Sequence, residues 1–309
     1  MTTLPGYYEL DPEDNHFTDV TADVTHQCNM TCQNCYIPNR DIPDMDIDRL
    51  INTISRFPKR TMIRIMGAEP TMRNDLTDII VRIRKAGHRC TLLTNGLKLA
   101  SIRYTRSLRE AKLSHVYLSL NGVDNDDWYE AIDELRCAKQ KIMALENIKA
   151  CKFIVDTGTI LCKGTNDDAP SRLLHLFKQK NIDHAMIRFK NVGQHGRYLL
   201  ESVDNWSMDD MIQMCADHYS LTVDYINSWK EKPIYGQHVE PDTFMFPLNP
   251  DSIGRALHRS GIWIKIADWD SHMDARLYPF MDQTRRGRIT EDFRLAPLPA
   301  HIVANEGGY

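Results

Sequence analysis

The sequence has no apolar run near the roughly 20 residues that a membrane span requires. The opening stretch MTTLPGYYELDPEDNHF has neither a basic start nor an apolar core, so no signal peptide is expected and the expected compartment is the cytoplasm. Low-complexity tracts and Pro/Gly/Ser linkers are missing as well. A basic excess is also lacking. The net charge is -4 and the pI about 6.3, which does not suggest wholesale non-specific nucleic-acid binding and leaves room for a local basic patch. Finally, no cysteine follows Cys215.

What remains is a soluble-type composition, 42% hydrophobic and 26% charged, in 309 residues. That length suits one large α/β domain, or one domain with a smaller companion. Strand and helix patterns alternate along most of it. FTDVTADVT, TMIRIMG, CTLLTNG, HVYLSLNG, KFIVDTGTI and HAMIRFKNVG read as strands. Between them lie helical patterns: DIDRLINTISRF, DLTDIIVRIRKAG closed by Gly87, SIRYTRSLREAK, one long DDWYEAIDELRCAKQKIMALENI, and APSRLLHLFKQKN. SMDDMIQMCADHY follows the sixth strand. Six strand–helix units predict parallel strands with right-handed crossovers, as a partial barrel or an open sheet. Chemistry then belongs at the carboxyl ends of the strands. The expected division is an N-terminal extension (1–17), the barrel (18–221) and a C-terminal substrate-covering region (222–309).

Eight cysteines in a reducing compartment are not expected to form disulfides. Cys28, Cys32 and Cys35 fall within eight residues, after the first strand. Three close thiolates serve a metal, yet a structural zinc site wants four ligands, and no second pair exists. His26 is a poor fourth, lying two residues before Cys28. A [4Fe–4S] cluster held by three cysteines keeps one iron open for another ligand.

The C-x3-C-x2-C spacing resembles the radical SAM superfamily, and the resemblance continues over roughly Asp19 to Arg197. It implies a partial (β/α)6 TIM-like barrel; the small C-terminal α+β extension is expected to lack an auxiliary cluster, because no cysteine follows Cys215. It also implies a [4Fe–4S] cluster on Cys28, Cys32 and Cys35, with S-adenosyl-L-methionine on the open iron. MGAEP resembles the family's GGEP motif, with Ala68 for the second glycine. By that likeness Gly67, Ala68 and Glu69 would bind the methionyl amino group. LLTNG, with Thr94 and Asn95, resembles the third-strand element beside the cofactor. LSLNG resembles the fourth-strand S-x-D-G motif, so Ser119 and Asn121 would face ribose or carboxylate; an amide at 121 accepts less strongly than a carboxylate. The aromatic often found before the third cysteine is here Asn34, and Tyr36 follows instead as the candidate adenine contact. The resemblance implies an external one-electron donor of flavodoxin or ferredoxin type. It further implies reductive cleavage to a 5′-deoxyadenosyl radical that takes hydrogen from substrate.

Further candidates are open to two readings. Arg188 is either a fork for the cofactor carboxylate or part of an ion pair. Cys162, past the fifth strand, is either a hydrogen-atom donor or a small buried residue. Arg285, Arg286 and Arg288 either bind a substrate anion or form a solvated turn. Trp263 and Trp269 either stack on a base or fill a core. Three functions follow. One is a radical enzyme performing a redox-neutral change on a nucleotide or nucleic-acid-linked base. The second acts on a peptide or amino-acid derivative. The third is a non-enzymatic iron–sulfur electron carrier, which would not need the elements after strands two to four.

Overall fold

The computed structural model describes residues 7–33, 35, 37, 39–192, 205–232, 243–249, 261–268 and 285–298. Six strands appear where the alternation places them: β1 (Asp19–Thr25), β2 (Met62–Gly67), β3 (Arg89–Thr94), β4 (His115–Ser119), β5 (Ile154–Leu161) and β6 (Ala185–Asn191). They pair in sequence order, all parallel. The helices between them are α1 (Ile47–Ser55), α2 (Leu76–Lys85), α3 (Ile102–Glu110), α4 (Asp126–Asp133), α5 (Ala138–Ala150) and α6 (Ala169–Gln179). α7 (Met208–Tyr219) and α8 (Val223–Asn227) follow β6. Local chemistry sets their starts. The side chains of Asp46, Ser101, Ser207 and Thr222 each accept a backbone N–H from the first turn of α1, α3, α7 and α8.

Four more strands come from the tail: β7 (Thr243–Pro247), β8 (Ile262–Ala267), β9 (Arg286–Ile289) and β10 (Leu295–Pro297). They join the same sheet, whose order is β10-β9-β1-β2-β3-β4-β5-β6-β8-β7. β8 lies parallel to β6 and β9 parallel to β1, while β7 and β10 close the edges antiparallel. The sheet is therefore an open partial barrel, extended at both edges. The expected covering role of 222–309 falls largely on residues 233–242, 250–260, 269–284 and 299–309, outside the described residues.

Alternation along each strand separates two faces. Val20, Ala22, Val24, Ile63, Ile65, Leu92, Val116, Leu118, Ile187 and Phe189 pack in the core between sheet and helices. Their neighbours, among them Thr21, Arg64, Tyr117, Arg188 and Lys190, line a cavity on the concave side.

One element departs from the sequence pattern. The long helix expected over 126–148 is two helices. Glu134 adopts a left-handed conformation (φ 54°) and ends α4, and the Asp126 carboxylate accepts the backbone N–H of Ala138 at 2.8 Å as α5 begins. The break turns the end of α4 and the start of α5 toward the cavity.

Candidate active site

A cavity of about 280 Å³ runs along the concave face. Cys28, Cys32 and Cys35 line it, in the loop after β1, and all three are half-buried free thiols. Burial pushes the Cys28 thiol up. Burial, then the Asp133 charge, pushes Cys32 up further. A thiolate there needs a cation to offset that cost, as metal binding provides. Donors already face the sulfurs. Arg40 Nη2 lies 3.2 Å from Cys35 Sγ, and Asn95 Nδ2 lies 3.9 Å from Cys28 Sγ. Among the described residues no three His, Cys, Asp or Glu side chains converge as ligands of a single ion. A cubane cluster instead spreads its thiolates over separate irons, so the donor set fits such a group.

The loop after β2 is tied to the chain entering the cysteine loop, with the Glu69 N–H on the Gln27 carbonyl at 3.0 Å. Gly67 has φ 123°, and a Cβ there would lie 2.2 Å from the Thr25 carbonyl oxygen, so only glycine permits this approach to β1. Gly67 and Ala68 line the cavity. Glu69 does not; it is fully buried. Its Oε1 accepts the Thr71 N–H at 3.0 Å, the Thr71 hydroxyl at 2.6 Å and the Thr94 hydroxyl at 2.7 Å. Its Oε2 accepts the Asn95 N–H at 2.6 Å. Glu69 thus brackets the ends of β2 and β3, and Thr94 and Asn95 reach the cavity from the far side of that bracket.

Ser119 and Asn121 line the cavity after β4. The Ser119 carbonyl accepts Lys141 Nζ at 3.1 Å. The Asn121 amide donates to Asp133 Oδ1 at 2.8 Å and accepts the Ile160 N–H at 3.0 Å. Asp133 and Lys141, both buried, line the cavity too. Neither was visible in the sequence, because both depend on the helix break at Glu134.

Deeper along the concave face the lining is cationic: Arg64 on β2, Arg188 and Lys190 on β6, Lys265 on β8 and Arg286 on β9. With Arg40 and Lys141, seven cations line the cavity together with Asp133, and two of them are ion-paired behind the lining, Arg188 with Asp156 and Arg64 with Asp19. Arg188 forks onto Asp156, with Nε 2.7 Å from Oδ1 and Nη2 on Oδ2. Of the two readings for Arg188, the ion pair is the contact present. Burial would raise the Asp156 carboxyl, but Arg188 and His115 overcome it and hold it well below the usual range. Tyr117 lies beside this pair, its ring 5.4 Å from the Arg188 guanidinium and 5.8 Å from Lys190 Nζ. Gly158 makes room for that ring, since a Cβ there would lie 1.6 Å from the Tyr117 hydroxyl. Lys190 is pushed down to about 7, by burial first and then by Arg188, Arg64 and Arg286. The lone cations in MIRIMG and IWIKIA, set among apolar residues at the inward-facing register, were the signal that sequence reading passed over.

The remaining candidates separate. The arginines of 285–288 are divided: Arg286 lines the cavity, and Arg288 is buried on Asp23. The Arg285 carbonyl accepts the N–H groups of Thr18 and Asp19. Cys162 is not among the lining residues, and burial pushes its thiol up to about 12. Asn166 closes the turn after β5, accepting the Cys162 N–H at 2.7 Å. Trp263 is buried edge-on to Trp229, 5.6 Å between centroids. Tyr36 and Trp269 lie outside the described residues.

The Radical SAM superfamily model matches residues 23–177, half of the chain. The chain belongs to the radical SAM superfamily. Its members are enzymes that use a [4Fe–4S] cluster and S-adenosylmethionine. Among curated proteins it is 32% identical over 187 residues to a 7,8-dihydro-6-hydroxymethylpterin dimethyltransferase of Methanocaldococcus jannaschii, covering 57% of this chain and 36% of that protein. It is 28% identical over 219 residues to a GTP 3′,8-cyclase of Staphylococcus aureus, covering 66% of this chain and 62% of that one. The chain thus spans less than two thirds of either relative. Among solved structures, Streptococcus suis SuiB bound to S-adenosylmethionine superposes with a TM-score of 0.55 at 17% identity, over 68% of this chain and 48% of that one. At that identity the likeness shows the fold alone. No helix among the described residues is long and apolar enough to cross a membrane.

Proposed function

We propose that this radical SAM enzyme modifies an anionic, nucleotide-type small molecule held in the concave cavity. The observation that carries the reading is the cavity lining, which joins the three thiols to a wall of cations. Such a wall recognises phosphates or carboxylates, and arginine forks suit both. The two curated relatives, named for GTP and for a pterin, support a nucleotide-type or related heterocyclic substrate.

Cys28, Cys32 and Cys35 would hold the cluster, with Arg40 supporting the Cys35 thiolate. Gly67, Ala68 and Ser119 would border S-adenosylmethionine. Once an external donor supplies an electron, the bound cluster and cofactor provide radical hydrogen abstraction. The protein's own part is orientation and exclusion of water. Glu69 fixes two loops against each other, Asp156 immobilises Arg188, and Tyr117 packs under the cations.

The test is 5′-deoxyadenosine formation by the anaerobically reduced holoenzyme, with purine nucleotides and with peptides in parallel. A deuterated nucleotide should pass its label to 5′-deoxyadenosine. Label transfer from a peptide alone would replace this reading with the peptide one.

A further inference from the structure

Asp133 is 1% exposed, lines the cavity and ends α4. Its Oδ1 accepts the Asn121 amide at 2.8 Å, whereas its Oδ2 is buried with no hydrogen-bond partner among the described residues. An ionised carboxylate is an acceptor only, and a buried lone-pair site without a donor is costly. Some donor belongs at Oδ2.

Position narrows the choice. Asp133 follows Ile132, whose carbonyl accepts the Gln33 N–H of the cysteine loop at 3.2 Å, and is held by Asn121, which accepts the Ile160 N–H of β5 at 3.0 Å. It therefore sits between the cysteine loop and the end of β5, beside Ser119 and Asn121. A cofactor whose methionine end lies at the cysteines presents its ribose next, then its adenine. A ribose carries two neutral O–H donors. The methionyl ammonium is the other donor on this cofactor, but Lys141 already places a cation in this wall, with Nζ on the Ser119 carbonyl. We propose that Asp133 accepts hydrogen bonds from the ribose hydroxyls of bound S-adenosylmethionine, so that α4 supplies the carboxylate that the loop after β4 does not.

Asn121 makes the arrangement possible. Its amide N–H donates to Oδ1 and aims the carboxylate, whereas an aspartate at 121 would repel it. The assignment rests on the family's cofactor and is independent of the substrate.

Equilibrium binding to the anaerobic holoenzyme tests it, with S-adenosylhomocysteine and its 2′,3′-dideoxy analogue as probes. Asp133→Asn keeps an acceptor for Asn121. It should weaken the hydroxyl-bearing ligand about tenfold or more, the loss of a charge-assisted hydrogen bond, and leave the dideoxy analogue unchanged. Asn121→Ala, which removes the aiming donor, should give a smaller loss confined to the same ligand. Iron content and the thermal midpoint check that each variant remains folded and loaded. An equal loss for both ligands, or none for either, would overturn the assignment. So would wild-type enzyme that binds both ligands alike, a result that needs no variant.

Discussion

The two faces of one sheet divide the work of this protein. On the convex face Val20, Ala22, Ile63, Ile65, Leu118, Ile187 and Phe189 are fully buried against the helices. On the concave face the alternate positions of the same strands carry Asp19, Asp23, Arg64, Asp156, Arg188 and Lys190. These charges are held by ion pairs such as Arg188 with Asp156, Arg288 with Asp23, and Arg64 with Asp19 at 3.7 Å. Apolar burial contributes roughly 1.5–3 kcal/mol per large side chain. Buried ion pairs contribute little net stability, because desolvation offsets their attraction. The fold is therefore stabilised on one face, and the other face is free to be charged for a ligand.

Variants on each face sharpen that contrast. The largest stability loss is expected on the convex face. Phe189→Ala should cost about 3–5 kcal/mol in denaturant unfolding, because it opens a cavity in a close-packed layer. Glu69→Gln comes next. It weakens a carboxylate that accepts four hydrogen bonds across two loops, so it should cost about 1–3 kcal/mol even without cofactor. Weaker cofactor binding at unchanged stability would instead assign Glu69 to direct contact.

The smallest effect should have the opposite sign. The folded-state value of Lys190 lies below the ordinary 10.5, so its charge opposes folding. That cost is full below about pH 7 and fades as pH rises toward 10.5. Lys190→Met should raise the thermal midpoint at pH 6 by at least about 2 °C, the shift that about 1 kcal/mol gives in a chain of this size. Its advantage should shrink by pH 9, and its nucleotide affinity should fall. An unchanged midpoint would mean that the cation is fully compensated within the protein.

Local pattern carried most of the architecture into the sequence. Apolar alternation and caps gave β1–β6 and α1–α3, and the spacing of Cys28, Cys32 and Cys35 singled out three residues that line the cavity. What escaped depends on distant parts of the chain or on single backbone conformations. β9 pairs with β1 across more than 260 residues, so the arginines at 286 and 288 read locally as a turn although they belong to the sheet. Asp133 and Lys141 face the cavity only because Glu134 turns left-handed, and a non-glycine residue gives no signal of that. Glu69 is a further lesson, since its motif position was legible but the direction of its side chain was not.

The central claim is that the concave face is a chamber for an anion. The most direct measurement compares the affinity of the holoenzyme for a purine nucleoside triphosphate and for the same nucleoside without phosphate. The account predicts that the triphosphate binds at least about a hundredfold tighter, and that Lys265→Gln and Arg286→Gln each remove much of the difference. Equal affinity for the two ligands, unaffected by either substitution, would contradict it.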